Sequence, residues 1–257
     1  LYTDTYNERI WNQTYEMAKP TIDMCEDYLV IYDKKGTQIY IMTSQGLVSN
    51  IETTMTIEQV SIAAQGTVAV LMGDQSNSYL VVYDKNGKEL VNGAIYGEDG
   101  GYPIAIALSN DAIKLAVSML DINDGNVKTT IAFYNFGSVG ENEIDRIVSA
   151  NSFSDMVIPQ LDFVSDDRMV AYGDSEIAIF EGTQKPKLAQ EIPLTGEAKS
   201  IFNNNKYVGV VYSNNDENLT HHVAVYDMHG FTVMEKDFSQ EYTAVSYTHL
   251  TLPTNRE

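Results

Sequence analysis

Cysteine is all but missing from this sequence: Cys25 stands alone in 257 residues, which excludes an intrachain disulfide and a cysteine-rich metal centre. A lone thiol suits a reducing cytosol, and equally an extracytoplasmic protein from a lineage that does not rely on disulfides. Positive charge is scarce too. Sixteen Lys and Arg against 36 Asp and Glu leave a formal charge of −20, which on average repels nucleic-acid backbones and anionic membrane surfaces. Cationic partners or metal ions remain permitted. No run of about 18 apolar residues occurs, hence no membrane-spanning helix in the residues given. Nor does any stretch keep apolar positions at helical spacing, so helix is expected to be nearly absent.

What the chain has instead is a repeated strand, turn and strand. It is clearest where Tyr79-Leu80-Val81-Val82-Tyr83 runs into Asp84-Lys85-Asn86-Gly87, before Lys88-Glu89-Leu90 starts a returning strand. Asn86-Gly87 is the dipeptide best suited to a two-residue hairpin turn, in which both central positions need positive φ. The pattern returns at Tyr226-Asp227-Met228-His229-Gly230. Looser versions are Tyr134-Asn135-Phe136-Gly137, Phe180-Glu181-Gly182 and Met42-Thr43-Ser44-Gln45-Gly46. Gly46, Gly87, Gly137, Gly182 and Gly230 thus recur every ~40–50 residues. Tyr32-Asp33-Lys34-Lys35-Gly36 looks similar but is assigned one strand earlier in its unit. A repeat of this length built only of strands predicts an all-β fold, a β-propeller of four-stranded blades.

Five units follow from this grammar. Their strands are expected at 21–25, 28–32, 38–42 and 47–53; at 60–64, 67–72, 79–83 and 89–95; and at 104–108, 113–119, 129–134 and 144–148. The last two units are expected at 160–164, 168–172, 176–180 and 188–192, and at 199–202, 207–212, 223–226 and 231–236. Residues 1–17 mix polar residues with Tyr2, Tyr6, Ile10, Trp11 and Tyr15 and read as outer strands of a further blade. Residues 1–244 are accordingly expected to be one truncated propeller with about five recognisable blades. The start on Leu1 rather than Met leads us to expect a missing upstream signal or anchor. Residues 245–254 resemble the conceptual translation of a transposase-type sequencing adaptor, so 245–257 are expected to be a non-native tail.

The units ending in Tyr83-Asp84-Lys85-Asn86-Gly87, inner turns such as Ser109-Asn110-Asp111, and the segment Val-Ser-Ile-Ala-Ala-Gln-Gly-Thr-Val-Ala-Val at 60–70 carry a family resemblance. Over roughly residues 17–238 the chain resembles an uncharacterised, WD-repeat-like propeller family of Gram-positive clostridia. That resemblance implies an extracytoplasmic propeller held by a short N-terminal membrane anchor. It implies no catalytic residues. Set against that family, the sequence is expected to be a piece without the anchor and the closing C-terminal blades.

In a propeller, the loops entering each inner strand and those between second and third strands share one face. Here they carry the candidate binding residues Asp74, Glu98, Asp99, Tyr102, Asp121, Asp124, Asp155 and Lys199, with Asp216 and Glu217 nearby and Lys34 and Lys35 as opposing charges. One reading is an acidic face that recruits a cationic ligand. The other is solvated turn residues, because Asp and Asn favour turns for backbone reasons alone. Asp121-Ile122-Asn123-Asp124-Gly125-Asn126 imitates a calcium loop, but its glycine falls fifth rather than sixth and Ala132 stands where the bidentate Glu belongs, so a hairpin is expected. Adjacent His221 and His222 on a strand point to opposite faces, and no metal site is assigned.

Asp23 and Asp162 lie in inner strands near a central channel, at matching positions in their units. They are available in principle as paired carboxylates for glycoside hydrolysis. No nucleophile elbow or phosphate loop is present, and single Trp11 argues against a quinone-cofactor propeller; no cofactor is assigned. The expected function is a noncatalytic extracytoplasmic binding or scaffolding module that engages a peptide, protein or glycan at the loop face. The alternative is a carbohydrate-active hydrolase or lyase. Nucleic acid is not an expected partner, and membrane contact is expected only through the missing anchor.

Overall fold

The computed structural model describes residues 2–3, 9–12, 14–74, 77–95, 101–213 and 220–239. β1 (Tyr2–Thr3) and β2 (Arg9–Trp11) pair with each other. Blade I is β3 (Pro20–Cys25), β4 (Tyr28–Asp33), β5 (Gln38–Thr43) and β6 (Gly46–Glu52). Blade II is β7 (Thr56–Ile62), β8 (Val68–Gly73), β9 (Ser78–Tyr83) and β10 (Glu89–Ile95). Blade III is β11 (Tyr102–Leu108), β12 (Lys114–Asn123), β13 (Asn126–Asn135) and β14 (Ile147–Ser154). Blade IV is β15 (Gln160–Ser165), β16 (Arg168–Tyr172), β17 (Glu176–Glu181) and β18 (Lys187–Pro193). Blade V is β19 (Ala198–Asn203), β20 (Tyr207–Ser213), β21 (His221–Asp227) and β22 (Thr232–Phe238). Each blade is a four-stranded antiparallel meander in chain order.

Period-two alternation explains how the blades stack. Along β8, Val68, Val70 and Met72 enter the cluster shared with blade I, while Ala69 and Leu71 enter the one shared with blade III. A strand with blades on both sides must be apolar on both faces, and all six residues of β8 are buried. Four clusters fall one to each successive interface from I–II to IV–V. At III–IV the rings of Phe133 and Phe180 sit 5.1 Å apart, both fully buried. Burial of side chains of this size stabilises by about 1.5–3 kcal/mol each.

The five repeat glycines all lie where a third strand turns into a fourth, while Asp33-Lys34-Lys35-Gly36 joins second to third, as expected. The turn chemistry differs from expectation at Asn86-Gly87. Gly87 has φ 80°, but Asn86 does not have positive φ. The amide of Gly87 donates to the carbonyl of Asp84 (3.0 Å), and the Asp84 carboxylate accepts the amides of Asn86 and Lys88, both at 2.9 Å. This is a tight turn closed by a left-handed glycine and locked by an aspartate, with a bulge following in β10. Asp227 and Gly230 repeat the arrangement. A two-residue hairpin with both central φ positive occurs instead at Asp124-Gly125, where φ is 51° and 82° and Asn123 pairs with Asn126.

Several strand boundaries also move, the second hairpin of blade III reaching Asn123 and Asn126 rather than 119 and 129. The fourth strand of blade III was expected at 144–148, yet Ile144–Arg146 is a short 3-10 turn and Ile144 is 87% exposed. Asp145 and Arg146 both have positive φ there, which ends any strand. β7 starts four residues earlier than 60 because a bulge between Ile57 and Gln59 keeps Ile57 in the core.

Candidate functional site: the central cavity

The inner strands β3, β7, β11, β15 and β19 surround a cavity of about 810 Å³. An innermost strand exposes a row of backbone N–H and C=O groups that need partners. Polar side chains supply them across successive blades. The Asp23 carboxylate accepts the amide of Ile62 through Oδ2 and that of Met24 through Oδ1, each at 2.9 Å. Gln59 bonds Ile106 twice, accepting its amide (2.9 Å) and donating to its carbonyl (3.2 Å), and Ser61 Oγ accepts the amide of Leu108 (3.0 Å). Buried Ser118 donates to the carbonyl of Ile158 (2.7 Å). Asp162 Oδ2 accepts from Asn203 Nδ2 and from Gln160 Nε2, both at 2.9 Å, and Asn203 also donates to the Tyr172 hydroxyl (2.8 Å). Each interface from I–II to IV–V thereby carries a side-chain hydrogen bond.

Burial pushes the Asp162 carboxyl up to about 6; the bonds from Gln160 and Asn203 oppose the rise, and the nearby Asp23 charge adds to it. Burial likewise raises Asp23, against its bonds to Ile62, Met24 and Ser61. Asp23 and Asp162 pair with Val30 and Val170, the third residue of β4 and of β16, so they occupy one structural position. Burial, with the charges of Glu26, Asp23 and Asp166, lifts the Cys25 thiol to about 11 and keeps it protonated and unreactive.

Of the loop-face candidates, the cavity lining includes Asp74 and Tyr102. Asp74 accepts the amide of Asn77 (2.9 Å), and Tyr102 is 67% exposed. Asp121 and Asp124 belong to the projecting β12–β13 hairpin, outside the lining, and Asp155 sits in the turn before β15 with φ 56°. Lys199 is paired with Glu197 at 2.7 Å. Lys35 is paired with Glu58, and Lys34 lines the cavity. Glu98, Asp99, Asp216 and Glu217 lie outside the described residues. His222 Nδ1 contacts Asp237 at 2.7 Å while His221 stacks on Phe238. Among the described residues no group of three or more His, Cys, Asp and Glu could hold a metal ion.

The inner-strand polar set was only half foreseen. Gln59, Ser61 and Asn203 carry no motif, and Asn203 reads from sequence as the start of an Asn-rich turn. Exposed apolar residues on an inner strand, Ile22 at 57% and Met24 at 66%, are the other unforeseen part of the lining.

A family model described as a family of unknown function (DUF5711) matches residues 1–250. The chain belongs to that family. No curated protein matches this DUF5711 chain. Among solved structures it is similar to a eukaryotic initiation factor, with a TM-score of 0.56, 11% identity, and 94% of this chain covering 61% of that one. The Pan2 WD40 domain of Neurospora crassa follows at TM-score 0.54 and 11% identity, over 86% of this chain and 65% of that. BBS1N, solved in complex with ARL6DN, gives TM-score 0.56 and 14% identity, over 87% of this chain and 67% of that. The DUF5711 chain therefore spans less than two thirds of the length of the first two. These likenesses establish a WD40-like β-propeller fold.

Proposed function

We propose that the protein is a noncatalytic binding or scaffolding module that takes a peptide, protein segment or glycan at the cavity mouth. The observation that carries this reading is the contrast within the cavity lining. Its inner-strand carboxylates Asp23 and Asp162 are engaged in blade-to-blade hydrogen bonds, whereas Tyr102, Met24 and Ile22 present apolar surface. An exposed tyrosine and exposed aliphatic side chains in one lining are suited to stacking on a sugar ring or packing against a peptide. The extracytoplasmic, membrane-anchored setting is part of the proposal and rests on the clostridial family resemblance alone.

One observation favours a second reading. Asp162, lifted to about 6, shares the cavity with Asp23, and a buried carboxyl beside a second carboxylate is what a glycoside hydrolase needs. Both Asp23 oxygens already accept backbone amides, which ties that carboxylate to the frame. Oligosaccharide and peptide arrays, followed by titration calorimetry of a hit, separate the readings. Binding weakened about tenfold by Tyr102→Ala and retained in Asp162→Asn supports the module. Turnover of an oligosaccharide that Asp162→Asn abolishes establishes the hydrolase instead.

A further inference from the structure

We propose that the lateral groove between blades II and III is a docking site for an acidic, partly apolar peptide segment of a partner protein, bound extended along β10. The groove has a volume of about 770 Å³. Val91 and Ile95 of β10 face Met119, Tyr134 and Phe136 of blade III across it, so its floor is apolar. At III–IV the outer strands close up: Ser149 donates to the carbonyl of Pro186 (2.6 Å), Lys185 pairs with Glu143 (2.5 Å), and Phe153 is buried. Blades II and III meet closely only nearer the axis.

Three features specify the occupant. The first is an open sheet edge. β10 is hydrogen-bonded only to β9, and all of residues 91–95 line the groove. Gly93 leaves open space where a Cβ would point, which admits a second backbone. Such an edge is completed by an added strand, and a fatty acyl chain has no amides to offer it. The second feature is charge. Lys128 and Arg146 line the groove, and neither side chain has a hydrogen-bond or ion-pair partner among the described residues, although Asp145 lies in the same lining. Lys35, Lys114, Arg168, Lys185 and Lys199 all have carboxylate partners, in a chain with 36 acidic residues. Lys19, Lys34, Lys85, Lys88, Lys187, Lys206 and Lys236 form no ion pair among the described residues either; Lys128 and Arg146 differ from them in lining one apolar groove together, where two cations complement an acidic ligand. The third is conformation: Arg146 is held at φ 63°, a costly position for a non-glycine residue, at the turn that enters β14.

The test uses a fluorescein-labelled synthetic peptide of alternating Glu and Val, its Lys-for-Glu counterpart, and laurate, each titrated against the full chain. The acidic peptide is expected to bind, to perturb the amide resonances of 91–95, and to lose about tenfold affinity with Arg146→Gly or Lys128→Glu. Arg146→Gly suits a positive φ, so its fold is retained and the loss reads the charge. Tyr102→Ala leaves this binding unchanged. The proposal is overturned by no binding of the acidic peptide, by equal binding of the lysine peptide, by laurate alone occupying the groove, or by indifference to both cation substitutions.

Discussion

The central cavity and the lateral groove are both clefts between blades, and they differ in how their polar groups are matched. In the cavity, Asp23, Gln59, Ser61 and Asp162 each bond a neighbouring inner strand, so these groups are part of the frame, although Lys34 in the same lining forms no ion pair among the described residues. In the groove, two cations and a strand edge lack protein partners among the described residues. A matched polar group holds a fold together, whereas unmatched cations lining an apolar groove are available to a ligand. This shifts attention from the conspicuous acidic residues to less conspicuous basic ones.

Packing separates the closed interface and the open groove most strongly. Phe180→Ala at the closed III–IV interface is expected to cost about 3–5 kcal/mol in urea unfolding, because the cavity it leaves is walled by rigid strands. Val91→Ala, in the open groove, is expected to cost under about 1 kcal/mol, since a half-exposed site loses less on truncation. Equal losses would mean that the groove is as closely packed as the III–IV core.

Protonation of the cavity has the next largest effect. The folded state raises Asp162 from its ordinary 3.8 to about 6, so the folded protein binds that proton more tightly than the unfolded chain. The contribution is fully present below about pH 4 and is lost as pH rises through about 6, a change on the order of 2–3 kcal/mol. Asp162→Asn is expected to flatten stability across that window in pH-dependent denaturation. An unchanged slope would show that the carboxyl is more hydrated than its position indicates.

Gln59→Leu tests the frame without a charge. It strands the Ile106 amide and carbonyl, and thermal unfolding should report a loss of about 1–3 kcal/mol. The smallest effect is expected in the groove: Lys128→Ala should leave stability within about 0.5 kcal/mol by the same measurement. A larger loss would identify Lys128 as a structural residue and weaken the case for the groove as a binding site.

Much of the blade pattern was legible in the chain because a strand sandwiched between blades must be apolar on both faces, as β8 is, and because glycine recurs where third strands turn into fourth, at positive φ in Gly46, Gly87, Gly182 and Gly230. The outer strand of blade III was misread since Ile144 is apolar yet lies on a turn, where hydrophobicity says nothing about burial. Asn86 was misread because Asp84, two residues upstream, binds its amide and selects a different turn. The matching positions of Asp23 and Asp162 were visible from the repeat. Their bonding was not, because Ile62 and Asn203 lie some 40 residues away in other blades.

By itself the sequence determined the all-β class, the five units, their antiparallel order and the acidic surface, since these depend on local alternation, turn chemistry and net charge. Only the tertiary structure decided which carboxylates serve the frame, which loop residues reach the cavity, and which cations stay unpaired. The physical reason is that hydrogen bonding and burial are properties of neighbours, and in a propeller the decisive neighbours belong to the next blade.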